Sequence, residues 1–206
     1  MAELRPSVRL ALLVLAGVWV GACAHTRETP LQPDIVPPSE FAQDVRMVNS
    51  LLFAFGKREL LARSVVEKQG DQLDLWLLTP NGVRLCHFHQ EGDQITRNDR
   101  TDACEVLDAR YVLQDLRWSY FQGCVGTTTC QAGDATFTES VDPVTGDVTS
   151  RSVDWQGVET VITFEEYEGS GPQRHPRRAE IDNRTYGYSV TILVEVYEET
   201  GAPPSR

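Results

Sequence analysis

The sequence predicts a mainly β protein, and three observations support this prediction. Apolar and polar residues alternate in several short runs, most regularly in the last one, which spans residues 188–196. Turn sequences rich in Gly, Pro, Asn and Asp separate these runs, and helical spacing is limited to two segments. Because alternation with a period of two is typical of strands with one buried face, we expect many antiparallel strands and few helices.

The first segment of the domain, residues 40–58, carries two overlapping patterns. A helical stripe comprises Phe41, Val45, Val48 and Leu52, and a strand-like alternation comprises Leu51, Phe53 and Phe55. We interpret the segment as a short helical start that gives way to a strand.

Three turn sequences then predict hairpins. Asn81-Gly82 follows an alternating run that contains Leu73, Leu75 and Leu77, and Asn-Gly is among the strongest short hairpin signals. The return strand over 83–89 turns again at residues 91–93, and residues 142–147 form a further turn. The remaining strands are predicted over 158–167, 178–184 and 188–196.

The segment from residue 105 to residue 121 is the one predicted helix in mid-chain. Its large side chains recur at near-helical intervals, which is typical of an amphipathic helix. They are Leu107, Tyr111, Leu113, Leu116 and Tyr120.

The N-terminus predicts export and lipid attachment. Arg5 and Arg9 precede a short apolar stretch that ends in Val20-Gly21-Ala22-Cys23. This ending resembles the bacterial lipobox, which implies a signal peptide over 1–22 and an acylated Cys23. The alternative is an ordinary signal peptide cut after Ala24. Ala24 in place of Asp after the cysteine favours the outer membrane by analogy with such lipoproteins.

The rest of the chain divides into a tether, a domain and a tail. Residues 23–39 contain four prolines and few apolar residues, which predicts a semi-extended tether. The domain is predicted over 40–198 and a flexible tail over 199–206. With two of 19 basic and one of 30 acidic residues in the leader, the mature chain has 17 against 29, a net charge near −12. Such a charge argues against nucleic acid and against flat contact with anionic lipid, so the lipid anchor is expected to be the membrane link.

Four cysteines remain beside Cys23, and an even number in an exported protein predicts two disulfides. Three pairings satisfy that number, and the local pairs Cys86–Cys104 and Cys124–Cys130 are favoured because each closes a neighbouring loop. Zinc is the alternative, with Cys86, His87 and His89 as ligands, but these residues lack the tight Cys-x-x-Cys pairs of zinc sites.

No motif for catalysis or for a cofactor is present. The sequence lacks a Gly-x-Ser-x-Gly elbow, a His-Glu-x-x-His pair and a phosphate-binding glycine loop, so we expect a protein that is not an enzyme. His87 and His89 share one face of a predicted strand and are interpreted as half-exposed strand residues rather than as metal ligands. A basic cluster, Arg174, His175, Arg177 and Arg178, is interpreted as a solvated loop, with lipid phosphate or an acidic carrier as the alternative.

Three blocks of the sequence resemble one family of small bacterial lipoproteins, the family called domain of unknown function 3261. The hairpin over 75–85 is similar to its Leu-Thr-Pro-x-Gly-x-Arg-Leu hairpin, residues 109–116 to its central helix, and residues 181–192 to its closing hairpin. The resemblance extends over about residues 40–198. The alternation alone does not separate a barrel from a sandwich. The resemblance implies the fold of the lipoprotein-localisation proteins LolA and LolB, an unclosed half-barrel of one curved antiparallel sheet with a few helices over the open side.

That resemblance also implies a function. A half-barrel of this type can hold acyl chains or lipidated cargo between sheet and helices, so we expect a monomeric carrier or acceptor of lipid or lipoprotein. The alternative is a tethered adaptor or structural envelope protein whose sheet is filled by its own side chains. The candidate cavity residues are Leu73, Leu75, Leu77, Leu113, Leu116, Trp118, Ile192 and Val194.

Overall fold

The computed structural model describes residues 35–41, 43–98 and 108–200. Cys23 and Cys104, together with the predicted leader and most of the predicted tether and tail, lie outside these ranges. The lipid anchor at Cys23 and the Cys86–Cys104 pairing therefore stay predictions.

The described residues form one antiparallel sheet of eleven strands. Alternating burial along the strands gives each a dry inner face and a wetter outer face, as the sequence pattern predicts. The strands are β1 Val45–Phe55, β2 Arg58–Gln69, β3 Gln72–Leu78, β4 Arg84–Glu91, β5 Gln94–Arg97, β6 Thr129–Ala132, β7 Ala135–Val141, β8 Val148–Trp155, β9 Val158–Glu168, β10 His175–Asn183 and β11 Tyr188–Glu199.

Two meanders meet at the centre of this sheet. The strand order is β5-β4-β3-β2-β1-β11-β10-β9-β8-β7-β6, so β1 pairs with both β2 and β11. The two edges, β5 and β6, are not hydrogen-bonded to each other in this order. The sheet is therefore not closed into a barrel, which confirms the predicted fold class.

Among the described residues a single α-helix, α1 (Ala109–Leu116), lies in the connection between the two edge strands. The side chain of Asp108 caps it by accepting a hydrogen bond from the backbone N–H of Arg110 at 2.9 Å. A five-residue π-helical segment, Arg117–Phe121, continues it and is called the π turn below. α1 contacts β5 and the π turn contacts β10, so the sheet curves around them. None of the helical segments in the described ranges is long and apolar enough to cross a bilayer.

The predicted turns are confirmed. Residues 79–83 connect β3 to β4, with Gly82 at a positive φ of 82° that favours glycine. In the turn between β7 and β8, the side chain of Asp142 accepts hydrogen bonds from the backbone N–H groups of Val144 (2.7 Å) and Thr145 (3.0 Å). This is the local side-chain bonding that makes Asp a turn residue.

The predicted helical start near residue 40 is wrong. Only Pro38–Glu40 forms a single 3-10 turn, and β1 is continuous from Val45. Hydrogen bonding to strands on both sides overrides the local helical spacing. Val48 and Leu52, which complete the helical stripe, lie on the outer face of β1, while Val45, Met47 and Leu51 are buried.

The core lies between the inner face of the sheet and the helical segment. Met47, Phe88, Phe137 and Trp118 are among its largest fully buried side chains. Complete burial of an apolar side chain of this size contributes about 1.5–3 kcal/mol.

Candidate functional site

A small cavity separates α1 from the inner face of the sheet. We call it the apolar cavity, and its volume is about 40 Å³. Strands from both meanders contribute to it because they meet at β1 and β11. It is lined by Asn49, Leu51, Phe53, Ser64, Leu75, Leu77, Val112, Asp115, Leu116, Ile181, Val190 and Ile192.

Two of the polar groups in this apolar lining are incompletely compensated. The amide nitrogen of Asn49 donates to Ser64 Oγ at 3.0 Å, but Asn49 Oδ1 has no hydrogen-bond partner among the described residues. Burial raises the pKa of Asp115 to about 7, although the Tyr188 hydroxyl donates a hydrogen bond to it at 2.7 Å and opposes the rise. The closed contact between α1 and the sheet therefore holds polar groups that water would solvate better.

A second, smaller cavity of about 20 Å³ lies beside the same helix, toward β5. Leu73, Leu113 and Ile95 provide part of its apolar wall, and Gln90 and Gln114 are its buried amides. Gln90 donates to the backbone oxygens of Val36 and Gly92, each at 2.8 Å. The inner face beneath α1 is thus almost filled in this conformation.

Beyond the π turn, the inner face opens into a larger depression of about 340 Å³, which we call the polar trough. It lies where β8 and β10 begin and β9 and β11 end, so it belongs mainly to the second meander. Its lining residues are Gln43, Ser119, Tyr120, Gly146, Asp147, Val148, Arg151, Phe164, Tyr167, Arg174, His175, Pro176 and Tyr197.

A buried ion pair forms the floor of the polar trough. Arg151 and Glu139 face each other across β8 and β7, and two nitrogens of the guanidinium contact Glu139 Oε1 at 2.7 Å. A third nitrogen donates to the backbone oxygen of Trp118 in the π turn. Gly123 packs against this pair, because a methyl group there would lie 2.8 Å from Glu139 Oε1 and even closer to Arg151. The pair thus anchors the π turn to the sheet.

The rim of the polar trough is aromatic and charged. Arg174 makes a two-pronged ion pair with Asp147, with both distances 2.6 Å, and its guanidinium lies 5.5 Å from the centre of the Tyr167 ring. His175 stacks on Tyr197 with ring centres 4.0 Å apart. These contacts leave no unpaired guanidinium among the described residues that line the polar trough.

The predicted cavity residues are all buried, but they occupy different places. Leu75, Leu77, Leu116 and Ile192 line the apolar cavity, and Leu73 and Leu113 line the smaller cavity. Val194 is buried further along the inner face of β11. Trp118 lines none of these cavities. It packs edge-on against Phe137, with ring centres 6.3 Å apart.

The predicted cysteine and histidine sites lie in different parts of the sheet. Cys124 and Cys130 are bonded to each other as predicted. Cys86 is buried on the inner face and is disulfide-bonded, while its predicted partner Cys104 lies outside the described residues. His87 and His89 lie on the outer face, where both contact Asp74 Oδ1, at 2.7 and 2.9 Å. The alternative zinc set is therefore split between two faces.

The predicted basic cluster is engaged with acidic partners. Besides Arg174, Arg177 lies 3.3 Å from Glu168, and Arg178 lies 3.7 Å from both Glu165 and Glu180. Its residues line the edge of the polar trough and the outer face of β10 rather than a separate loop.

Sequence reasoning missed the polar trough, although one signal pointed to it. Arg151 shares its strand parity with Val153 and Trp155, and Glu139 shares parity with Phe137. A charged residue at an inward position on each of two neighbouring strands indicates a buried pair.

Taken together, the sheet, the crossing helix and the spaces beneath it define an open half-barrel with a helical cover. The cover consists of α1 and the π turn. The chain belongs to the family described as protein of unknown function (DUF3261), whose model matches residues 29–194. The family resemblance of the three sequence blocks is thereby confirmed. No curated protein matches the chain in sequence.

Three solved structures are distantly similar. A LolA superfamily protein from Nitrosomonas europaea is 12% identical with a TM-score of 0.46, over 81% of this chain and 92% of that one. A domain described as that of an outer membrane lipoprotein-sorting protein from Vibrio parahaemolyticus is 12% identical with a TM-score of 0.45, over 79% of this chain and 88% of that one. A DUF1329 family protein from Desulfovibrio piger is 10% identical with a TM-score of 0.44, over 76% of this chain and 85% of that one.

Proposed function

We propose that this protein is a lipid-anchored lipoprotein of the outer membrane, facing the periplasm, that binds acyl chains or lipidated cargo beneath α1. The observation that carries the proposal is the apolar cavity, a space lined mainly by apolar side chains between a short helix and the centre of an open sheet. Apolar lining with a few polar groups is typical of ligand sites.

Binding requires α1 to move, because a cavity of about 40 Å³ is far smaller than the roughly 300–1,000 Å³ of ordinary ligand pockets. Exposing Leu113 and Leu116 costs about 3–6 kcal/mol, at about 1.5–3 kcal/mol for each side chain. Burying eight methylenes of an acyl chain returns about 6 kcal/mol at about 0.8 each. Solvation of Asp115 and Asn49 favours the open state further.

The attachment proposed for the chain follows from its N-terminus. The lipobox-like ending at Cys23 supports acylation, and the acidic composition supports lipid as the membrane link. Labelling cells with radioactive palmitate tests this directly. The unaltered chain should be labelled and Cys23→Ser should not, whereas equal labelling of both would refute the anchor.

The acyl-binding proposal is tested with the domain produced in the periplasm without its anchor. Native mass spectrometry should show co-purified lipid, and a fluorescent fatty acid should bind. Val112→Trp, which fills the apolar cavity from the helix side, should abolish both signals. Leu61→Trp on the exposed outer face is the matched control and should leave them unchanged. Absence of lipid and of fatty-acid binding in the unaltered domain would refute the proposal.

The second candidate is a tethered adaptor with a filled core, and the small volume beneath α1 favours it. An adaptor would bind a protein partner through its surface and would not respond to Val112→Trp. Crosslinking in intact cells that captures the same partner with the unaltered chain and with Val112→Trp would support the adaptor over the carrier.

A further inference from the structure

We infer that the ligand is an amphiphile with an uncharged, hydroxyl-bearing head of the sugar type, held in the polar trough while its acyl chain lies beneath α1. This inference rests on the proposed function, because it assigns the chain end of the ligand to the apolar cavity. It adds the chemical class of the head and the residues that recognise it.

The apolar cavity and the polar trough are both lined by residues of β11 on the inner face. Ile192 of β11 lines the first, Val194 follows it on the same face, and Tyr197 lines the second. The extra residue Glu195 is a bulge in the pairing with β1, and it returns Tyr197 to the inner face. At about 3.3 Å per residue the path from Ile192 to Tyr197 is about 16 Å, which an extended alkyl chain can bridge.

The helical cover spans the same two sites. Leu116 lines the apolar cavity and Tyr120, four positions later in the π turn, lines the polar trough, so the two residues lie about one helical turn apart. A movement of α1 that admits a chain therefore takes place beside Tyr120 in the wall of the polar trough, while the bond from Arg151 to Trp118 holds the π turn to the sheet. This geometry suits a ligand that has an apolar and a polar part.

The charges of the polar trough favour an uncharged head. Each guanidinium is matched by a carboxylate, Arg151 by Glu139 and Arg174 by Asp147. The hydrogen bond from Arg174 holds the pKa of Asp147 below its usual range, so this pair stays ionised and balanced. An anionic or cationic head would meet no excess of opposite charge, whereas hydroxyls can both donate to and accept from such pairs.

The hydrogen-bonding groups and rings of the polar trough match hydroxyls on a ring. The hydroxyl of Tyr120 is buried in its wall and has no hydrogen-bond partner among the described residues. Tyr167 and Tyr197 add two further rings, and a volume of about 340 Å³ reaches the range of small-molecule sites. Rings that carry a polar tip are suited to a ligand with both apolar faces and hydroxyls, as sugars have.

The test uses probes that share one chain and differ in the head. Binding of decyl maltoside, decyl glucoside, decanoate and decylphosphocholine, each below its micelle concentration, is measured by calorimetry, with maltose as the head alone. At least one glycoside should bind about tenfold tighter than decanoate and decylphosphocholine. Tyr120→Phe should remove most of that advantage without weakening decanoate, while Leu61→Ala on the outer face should change nothing. Thermal melting by circular dichroism confirms that the variants are folded.

The contrary results separate the inference from the proposed function. Equal binding of all four amphiphiles, or an equal effect of Tyr120→Phe on every probe, would overturn the inference and leave acyl binding intact. Binding of none would overturn both. Maltose that binds as tightly as decyl maltoside would show a sugar site without a chain site, which overturns the amphiphile and the proposed function together.

Discussion

The two halves of the inner face differ in how far their buried polar side chains are paired. Beneath α1 the face is apolar and almost filled, and its polar groups, Asp115 and Asn49, lack full compensation. Beyond the π turn it is open and strongly polar, yet Arg151 and Glu139 satisfy each other. The uncompensated groups weaken the contact beneath α1, whereas the ion pair holds the floor of the polar trough firmly, although the Tyr120 hydroxyl in its wall has no partner among the described residues. The comparison suggests that the cover moves over the apolar cavity while the floor of the polar trough stays fixed.

Glu139→Ala should give the largest effect, because it leaves the buried guanidinium of Arg151 without its counter-charge. Removal of one partner from a buried pair costs about 3–5 kcal/mol. Urea denaturation measures the loss. The double variant Glu139→Leu with Arg151→Met should recover most of it, and a loss below about 1 kcal/mol in the single variant would show that the polar trough is not firmly held.

Asp115→Asn should stabilise the protein, and the gain should depend on pH. The folded state keeps the Asp115 proton up to a pKa of about 7, whereas an ordinary Asp loses it near 3.8, so the carboxyl lowers stability as pH rises between those values. At about 1.4 kcal/mol per pKa unit, the gain from Asn approaches about 4 kcal/mol above pH 7 and vanishes near pH 4.

Denaturation of both proteins at pH 4, 6 and 8 measures that gain. Asn keeps the shape of the side chain and can still accept the hydrogen bond from Tyr188. The difference in unfolding free energy between the two proteins therefore reports the ionisation of Asp115 alone. A gain that is the same at pH 4 and pH 8 would show that Asp115 is ionised at no cost beneath the cover.

Gly123→Ala should have an intermediate effect. The added methyl group would press on the ion pair, and overpacking of this kind costs about 1–3 kcal/mol. Thermal and urea denaturation measure it. In the Glu139→Leu and Arg151→Met background the loss of stability should be smaller, because the guanidinium and carboxylate that the methyl group would displace are absent. An unchanged loss would show that the backbone at residue 123, not the ion pair, causes the destabilisation.

Arg174→Ala should give the smallest effect on stability. Its guanidinium bonds both carboxylate oxygens of Asp147, but this pair lies at the exposed rim, where solvent screens it. The urea midpoint should not move measurably. A clear loss would show that the rim of the polar trough is held as firmly as its floor.

Alternation predicted much of this fold, because the period of two fixes which residues share a face. The sequence marks Leu75, Leu77 and Ile192 as candidate cavity residues without assigning their face, and in the structure they line the apolar cavity. Alternation failed where a local pattern was ambiguous, as in β1, where pairing on both sides decided the structure. The polar trough depends on strand register: Glu139 and Arg151 are direct cross-strand partners only because the 142–147 turn aligns β7 with β8. Tyr120 reaches the polar trough because the connection between the two edge strands crosses the inner face of the sheet, and no local sequence pattern predicts this crossing.

The open edges of the sheet affect how molecules of this protein meet one another. An unclosed sheet exposes two unpaired strands, and long flat edges recruit strands from other copies and build fibres. Here both edges are short: β5 and β6 have four residues each, and β6 includes Cys130, which is tied to Cys124 in the preceding segment. The shortness of both edge strands thus limits the polymerisation of this open sheet.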